Sequence, residues 1–150
     1  MSAVTDAPAA GRDIDWAHLR QRAVAVRAHA YAPYSNHPVG AAALVDDGRV
    51  VTGCNVENAS LGVTLCAECG LVGDLIRGTP VGTRGRLLAL ACVGPAAGPL
   101  LPCGRCRQLL WEHGGGELLI DRAGGPVPLS LLLPDGFGPD ALGVAAGTPG

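Results

Sequence analysis

The sequence predicts a three-layer α/β/α domain in which one sheet is flanked by helices. Three observations carry that expectation. An apolar stripe at helical spacing near the N-terminus is followed by two apolar runs parted by the turn Asp46-Asp47-Gly48. The continuous apolar run over 86–93 reads as a buried strand. Two segments that begin at cysteines and end at glycines flank that run and read as helices.

Taken in order, residues 1–12 are Ala/Pro-rich and are expected to form a disordered leader. A single folded domain is expected over 13–143, and a disordered tail over 144–150. Asp13 is the expected cap of the first helix, with Asp15 near its positive end. Trp16, Leu19, Ala23, Val26 and Ala30 make its stripe, which ends near Pro33. The small apolar run 39–45, the turn and the run 49–56 predict a hairpin. A helix over 66–77 stops at Gly78, and a strand over 86–93 follows. A shorter helix over 105–113 is closed by Gly114-Gly115-Gly116. Strands over 117–121 and 126–129 and helical turns over 129–133 and 140–142 complete the order.

Composition narrows the function. At 48% hydrophobic and 16% charged, the chain is built to fold around a core. A net charge of −2, no run of Lys or Arg and 3% aromatic residues exclude a track for nucleic acid or a base-stacking platform. Small substrates are therefore expected. No apolar run reaches the roughly 18 residues needed to cross a membrane. The first residues lack the basic start and apolar stretch of a signal peptide, so a cytoplasmic location is expected. Six cysteines in such a setting point to metal binding or catalysis before disulfides.

Those cysteines are patterned. Cys66-Ala67-Glu68 is followed by Pro102-Cys103-Gly104-Arg105-Cys106. Three thiolates leave a tetrahedral zinc with one open position for water. A carboxylate two residues from the first thiolate can move protons to and from that water. Both clusters fall where a helix is expected to begin, and the unpaired N–H groups there favour thiolate. Pro102 suits the turn that delivers Cys103. This pairing of Cys-x-Glu with Pro-Cys-x-x-Cys is a signature of zinc-dependent nucleobase deaminases. Two rival readings stand beside it. Cys69 completes a second Cys-x-x-Cys, which would allow a closed, structural four-cysteine zinc site. Pro-Cys-x-x-Cys alone also suits a redox dithiol, although that chemistry has no use for Glu68. Cys54 and Cys92, within apolar strands, are expected to be core residues.

Beyond these motifs the chain resembles the cytidine deaminase family, in its small homotetrameric form with three cysteine ligands, from about Trp16 to Leu142. The likeness is carried by Tyr31-Ala32-Pro33-Tyr34-Ser35, Gly53-Cys54-Asn55-Val56-Glu57-Asn58, Pro102 to Gln108, and Leu132 to Gly138. It implies a mixed five-stranded sheet flanked by helices and one zinc per subunit on Cys66, Cys103 and Cys106. Glu68 would shuttle protons. Main-chain groups near Ala67 and Cys103 would hold the pyrimidine, and Asn55 and Glu57 the ribose. Phe137 would reach a neighbouring subunit's pocket, so the sites of a homotetramer would be shared. Arg105 would hydrogen-bond a zinc-bound sulfur, and Pro102 would shape the second zinc segment. The implied reaction converts cytidine and 2′-deoxycytidine to uridine and 2′-deoxyuridine with loss of ammonia, in pyrimidine salvage.

Three positions depart from the family's pattern. His37 stands where Phe commonly packs against the nucleoside, Leu61 where Tyr is frequent, and Cys69 where Arg is usual. They bear on substrate fit and leave the zinc motif whole. A deaminase of a modified, blasticidin-type cytosine nucleoside is therefore kept as an alternative. So is a non-catalytic four-cysteine zinc protein. An RNA- or DNA-editing deaminase is disfavoured by the acidic balance.

Overall fold

Asp15, not Asp13, opens the first helix. In the computed structural model, which describes residues 13–96 and 98–144, the Asp15 carboxylate accepts the His18 N–H at 2.9 Å. The cap therefore falls two residues later than expected, because α1 (Trp16–Arg27) starts at Trp16. The helix also stops earlier than Pro33. Ala28, His29 and Ala30 tighten into bonds three residues back, and Tyr31 is then drawn out to pair beside Val56. The leader expected over 1–12 and residues 145–150 of the expected tail lie outside the described residues.

The hairpin forms as expected, with β1 (Gly40–Val45) antiparallel to β2 (Val50–Cys54). The apolar strand β3 (Leu87–Val93) pairs antiparallel with the other edge of β1. Next comes β4 (Leu119–Ile120), parallel to β3, and then β5 (Val127–Pro128), antiparallel to β4. The order β2-β1-β3-β4-β5 is the mixed five-stranded sheet that the resemblance implies. The last two strands are shorter than expected, and Pro128 has no N–H with which to extend a ladder.

Helices cover both faces. On one side α1 lays Leu19 and Ala23 over Ala42, Ala89, Ala91 and Val93, small side chains that admit a helix closely. A bidentate pair pins it further: Arg20 Nε and Nη2 reach the two oxygens of buried Asp121 at 2.7 and 2.8 Å. On the other side lie α2 (Ala67–Gly78), α3 (Gly104–Gly114) and the short α4 (Leu129–Leu132). Leu71, Leu75, Leu110 and Leu129 pack there with Leu90, Ile120 and Val51 into the main core. One-turn 3₁₀ segments occur at Leu61–Val63 and Pro139–Leu142. No described helix is long and apolar enough to cross a membrane.

The first turn of α2 lies almost on the backbone of β2. A Cβ at Gly53 would stand 2.2 Å from the Ala67 carbonyl oxygen and 2.3 Å from the Leu71 nitrogen. Only a residue without a side chain permits that approach. Gly53→Ala is therefore expected to force α2 outward and to destabilise the fold by about 2 kcal/mol, as overpacking does. A lower urea midpoint at unchanged slope would register it; an unchanged midpoint would show that α2 has room to move.

Candidate active site

Two helix N-termini converge to make the site. Cys66 is the N-cap of α2 and Cys103 that of α3, while Cys106 sits in the first turn of α3. The Sγ atoms of Cys66 and Cys103 are 3.9 Å apart, and all three sulfurs lie within 4.8 Å of one another. Tetrahedral zinc with bonds of about 2.3 Å needs its sulfurs about 3.8 Å apart, so the donor set fits that ion. Burial, the leading effect, raises the Cys66 and Cys106 thiols. Burial acts the same way on Cys103, but the Cys106 main-chain N–H and the neighbouring thiols outweigh it and hold Cys103 below its ordinary value. A divalent cation overrides such resistance to ionising and draws thiols into the thiolate form.

Cys69 is not part of this group. Its sulfur lies 3.8 Å from Arg105 Nη2, which also bonds the Thr64 carbonyl at 3.1 Å and approaches Cys66 Sγ at 3.7 Å. Among the described residues the three-sulfur cluster is the one group placed to hold a metal, which disfavours the four-cysteine reading. Pro102 is buried, and its carbonyl accepts Arg107 Nε at 2.9 Å. Arg107, open in sequence to being a surface charge, also bonds the Leu132 carbonyl at 2.8 Å and so ties the second cysteine segment to α4.

A cavity of about 480 Å³ opens over the thiols. That volume suits a small ligand. Cys66, Ala67, Glu68 and Cys103 form its helical wall, and His37, Asn55 and Glu57 its loop wall. Glu68 is 4% exposed, a carboxylate carried inward by the first turn of α2. Asn55 and Glu57 are buried but are first of all struts for the loop. Asn55 accepts the Val39 N–H at 2.8 Å and donates to the His37 carbonyl at 3.0 Å. Glu57 Oε2 accepts the Tyr34 and Ser35 N–H groups at 2.9 and 3.2 Å. The Ser35 hydroxyl chiefly, with those N–H groups and the His37 imidazole, holds Glu57 below the usual carboxylate range against the effect of burial. Among the described residues no main-chain N–H is bonded to its other oxygen, Oε1.

Phe137 does not reach this cavity. It is 56% exposed, and its carbonyl accepts Gln108 Nε2 at 2.8 Å. Gly136 beside it lies so close on the Trp111 ring that a Cβ would stand 2.6 Å from the ring, so this loop is packed against α3. The reading of Cys54 and Cys92 as core is corrected in part. Cys54, at the end of β2, is only half-buried. Cys92 is buried, but its thiol stands 3.6 Å from Glu68 Oε1. Its apolar neighbours in sequence conceal that contact, as they do the part Leu100 plays in lining the cavity.

A cluster of three thiols with a buried carboxylate beside it, at the floor of a ligand-sized cavity, defines a metal-dependent hydrolytic site on an α/β/α scaffold. Comparison with known proteins agrees. The family model for the cytidine and deoxycytidylate deaminase zinc-binding region matches residues 15–120. A cytidine deaminase of Mycobacterium tuberculosis is 62% identical over 130 residues, covering 87% of this chain and 95% of that protein. One from Sporosarcina psychrophila is 38% identical over 125 residues, covering 80% and 89%. The crystal structure of the Mycobacterium tuberculosis cytidine deaminase superposes with a TM-score of 0.79 at 61% identity, covering 84% of this chain and 99% of that one. That from Mycobacterium leprae gives 0.77 at 52%, covering 82% and 100%. The chain belongs to the cytidine and deoxycytidylate deaminase family.

Arg105 places a positive charge against the thiol cluster. Arg105→Gln is expected to weaken zinc binding about 10-fold, the usual scale for a group that supports a metal ligand. Competition with a chromophoric chelator measures this; equal zinc retention in both proteins would show that Arg105 acts only as a tether to Thr64.

Proposed function

We propose that this chain catalyses zinc-dependent hydrolytic deamination of cytidine and 2′-deoxycytidine, releasing ammonia and leaving uridine and 2′-deoxyuridine. The observation that carries the reading is the buried Glu68 carboxylate opening on the same cavity as the Cys66 and Cys103 thiols. The close relatives named as cytidine deaminases favour plain nucleosides over a blasticidin-type substrate.

Cys66, Cys103 and Cys106 hold the metal. When bound there, zinc supplies an acidified water, a nucleophile available near neutral pH. Glu68 would accept the proton that this water loses and give it to ring N3 as C4 is attacked; it would then take the proton of the hydroxyl newly joined to C4 and deliver it to the departing amine, which leaves as ammonia. Ala67 and Cys103 line the cavity, and their main-chain groups would hold the pyrimidine. Glu57 and Asn55 receive the ribose; a sugar hydroxyl missing there leaves a buried polar group unpaired. His37 closes the same wall and packs against the nucleoside.

The reading extends to assembly. Leu61, Val63 and Phe137 are exposed apolar side chains, the kind of surface a partner covers. We take the working form as a homotetramer in which Phe137, turned away from its own cavity, completes a neighbour's. We place the protein in the cytoplasm, in nucleoside salvage, as one catalytic domain over 13–143 with no polymer substrate.

Ammonia release from cytidine by zinc-loaded protein tests the chemistry. Turnover is expected in the parent, and a fall of about 10²–10⁴-fold in Glu68→Gln with zinc retained. Absence of turnover in the parent on both nucleosides would overturn the assignment. Sedimentation at micromolar concentration is expected to give a particle of four chains, and Phe137→Ala to raise KM by about 10-fold, the cost of one lost aromatic contact. A monomer with full activity would refute the shared site.

A further inference from the structure

We propose that Cys92 is a positioning residue for the proton-carrying carboxylate: its thiol holds Glu68 Oε1 and so leaves Oε2 facing the substrate cavity. The inference rests on the reading of Glu68 given above and adds to it a residue outside both zinc segments.

The contact joins two buried groups. Cys92 is 2% exposed and Glu68 4%. Their Sγ and Oε1 atoms are 3.6 Å apart, within reach of an S–H donor. Among the described residues no other group is hydrogen-bonded to the Glu68 carboxylate. Among the described residues Oε2 has no hydrogen-bond partner, it is not sealed from solvent, and Glu68 lines the cavity. The two carboxylate oxygens thus face different surroundings, one a thiol in the sheet and the other the site.

The donor sits on a rigid support. Cys92 pairs with Ala41 in the ladder between β3 and β1, and its carbonyl accepts the Leu100 N–H at 2.8 Å. Strand alternation turns Ala91 and Val93 toward α1, and Cys92 with Leu90 toward α2. A glutamate has three side-chain torsions, and a site that must receive and return a proton at fixed atoms cannot leave them loose. Burial and the adjacent Glu68 charge raise the thiol well above its ordinary value, so it stays protonated and remains a donor.

Cys92→Ala and Cys92→Ser are the matched test. Both shorten the side chain, but only Ser keeps a donor. Kinetics of zinc-loaded proteins on cytidine are expected to give kcat about 10-fold lower in Cys92→Ala, with KM and zinc content held within about twofold, a tenfold loss being the rate equivalent of about 1.4 kcal/mol. Cys92→Ser is expected to recover kcat to within about threefold of the parent. Equal loss in both variants would mean that packing alone matters, and no loss in Cys92→Ala would mean that the contact is idle; either overturns the proposal. If Cys92→Ala does not fold, Cys92→Val leaves no cavity, lacks the donor and carries the same expectation. A second readout needs no turnover. Crystals of the alanine or valine variant are expected to show the Glu68 carboxylate rotated or split between two conformers. A single unmoved conformer would overturn the proposal. An inactive parent would count instead against the deaminase assignment.

Discussion

The contact between the first turn of α2 and the backbone of β2 is the constraint on which the site depends. With no side chain at Gly53, the Ala67 carbonyl and Leu71 nitrogen come within a distance that any Cβ would forbid. That approach sets where α2 begins. It therefore sets where the Cys66 cap, Ala67 and Glu68 stand relative to the sheet. The second helix is brought to the same place by separate means: α3 packs Leu110 into the core shared with Leu71 and Leu75, and Arg107 ties Pro102 to Leu132. Two helices packed on one sheet face hold three sulfurs within tetrahedral reach at their N-termini.

Such an arrangement is electrostatically costly on its own account. Buried thiols resist ionising, and a buried carboxylate stands beside them. Helix N-termini and Arg105 offset part of the accumulating negative charge, and a divalent cation offsets the rest. The same logic explains why Cys92 and Cys106 differ in use although both are buried cysteines. Cys106 has sulfur neighbours and a place in a metal's reach. Cys92 stands outside the sulfur cluster with a carboxylate as its hydrogen-bond partner, and burial first, then that charge, keep it a neutral donor.

The opposite wall is built by polar struts. Asn55 and Glu57 spend most of their hydrogen bonds on residues 34–39, which gives His37 and Ser35 fixed positions at the cavity edge. A side chain used in this way can still face a ligand, as Asn55 and Glu57 do by lining the cavity. Away from the cavity lining, Leu61, Val63 and Phe137 leave apolar side chains exposed.

Much of this was legible before any coordinates. Period-two and helical patterning placed every strand and the longer helices, because burial of an apolar face is a local property of the sequence. Cys66, Glu68, Cys103 and Cys106 declared a zinc site because ligand spacing on a helix start is also local. Errors fell where two distant segments compete for one residue. Asp13 and Asp15 are equal as caps on paper, and the exit at Tyr31 depends on pairing with Val56. Cys69 and Cys106 look alike in their motifs, but only the packing of α2 against α3 turns one toward Arg105 and the other toward the cluster. Cys92 looked like filler because nothing near it in sequence reveals that Glu68 lies across the sheet face. By itself, then, the sequence determined the elements, the family and the donor atoms. Tertiary structure alone decided which donors converge, since convergence depends on helix–sheet distances set by residues such as Gly53 that carry no chemistry of their own.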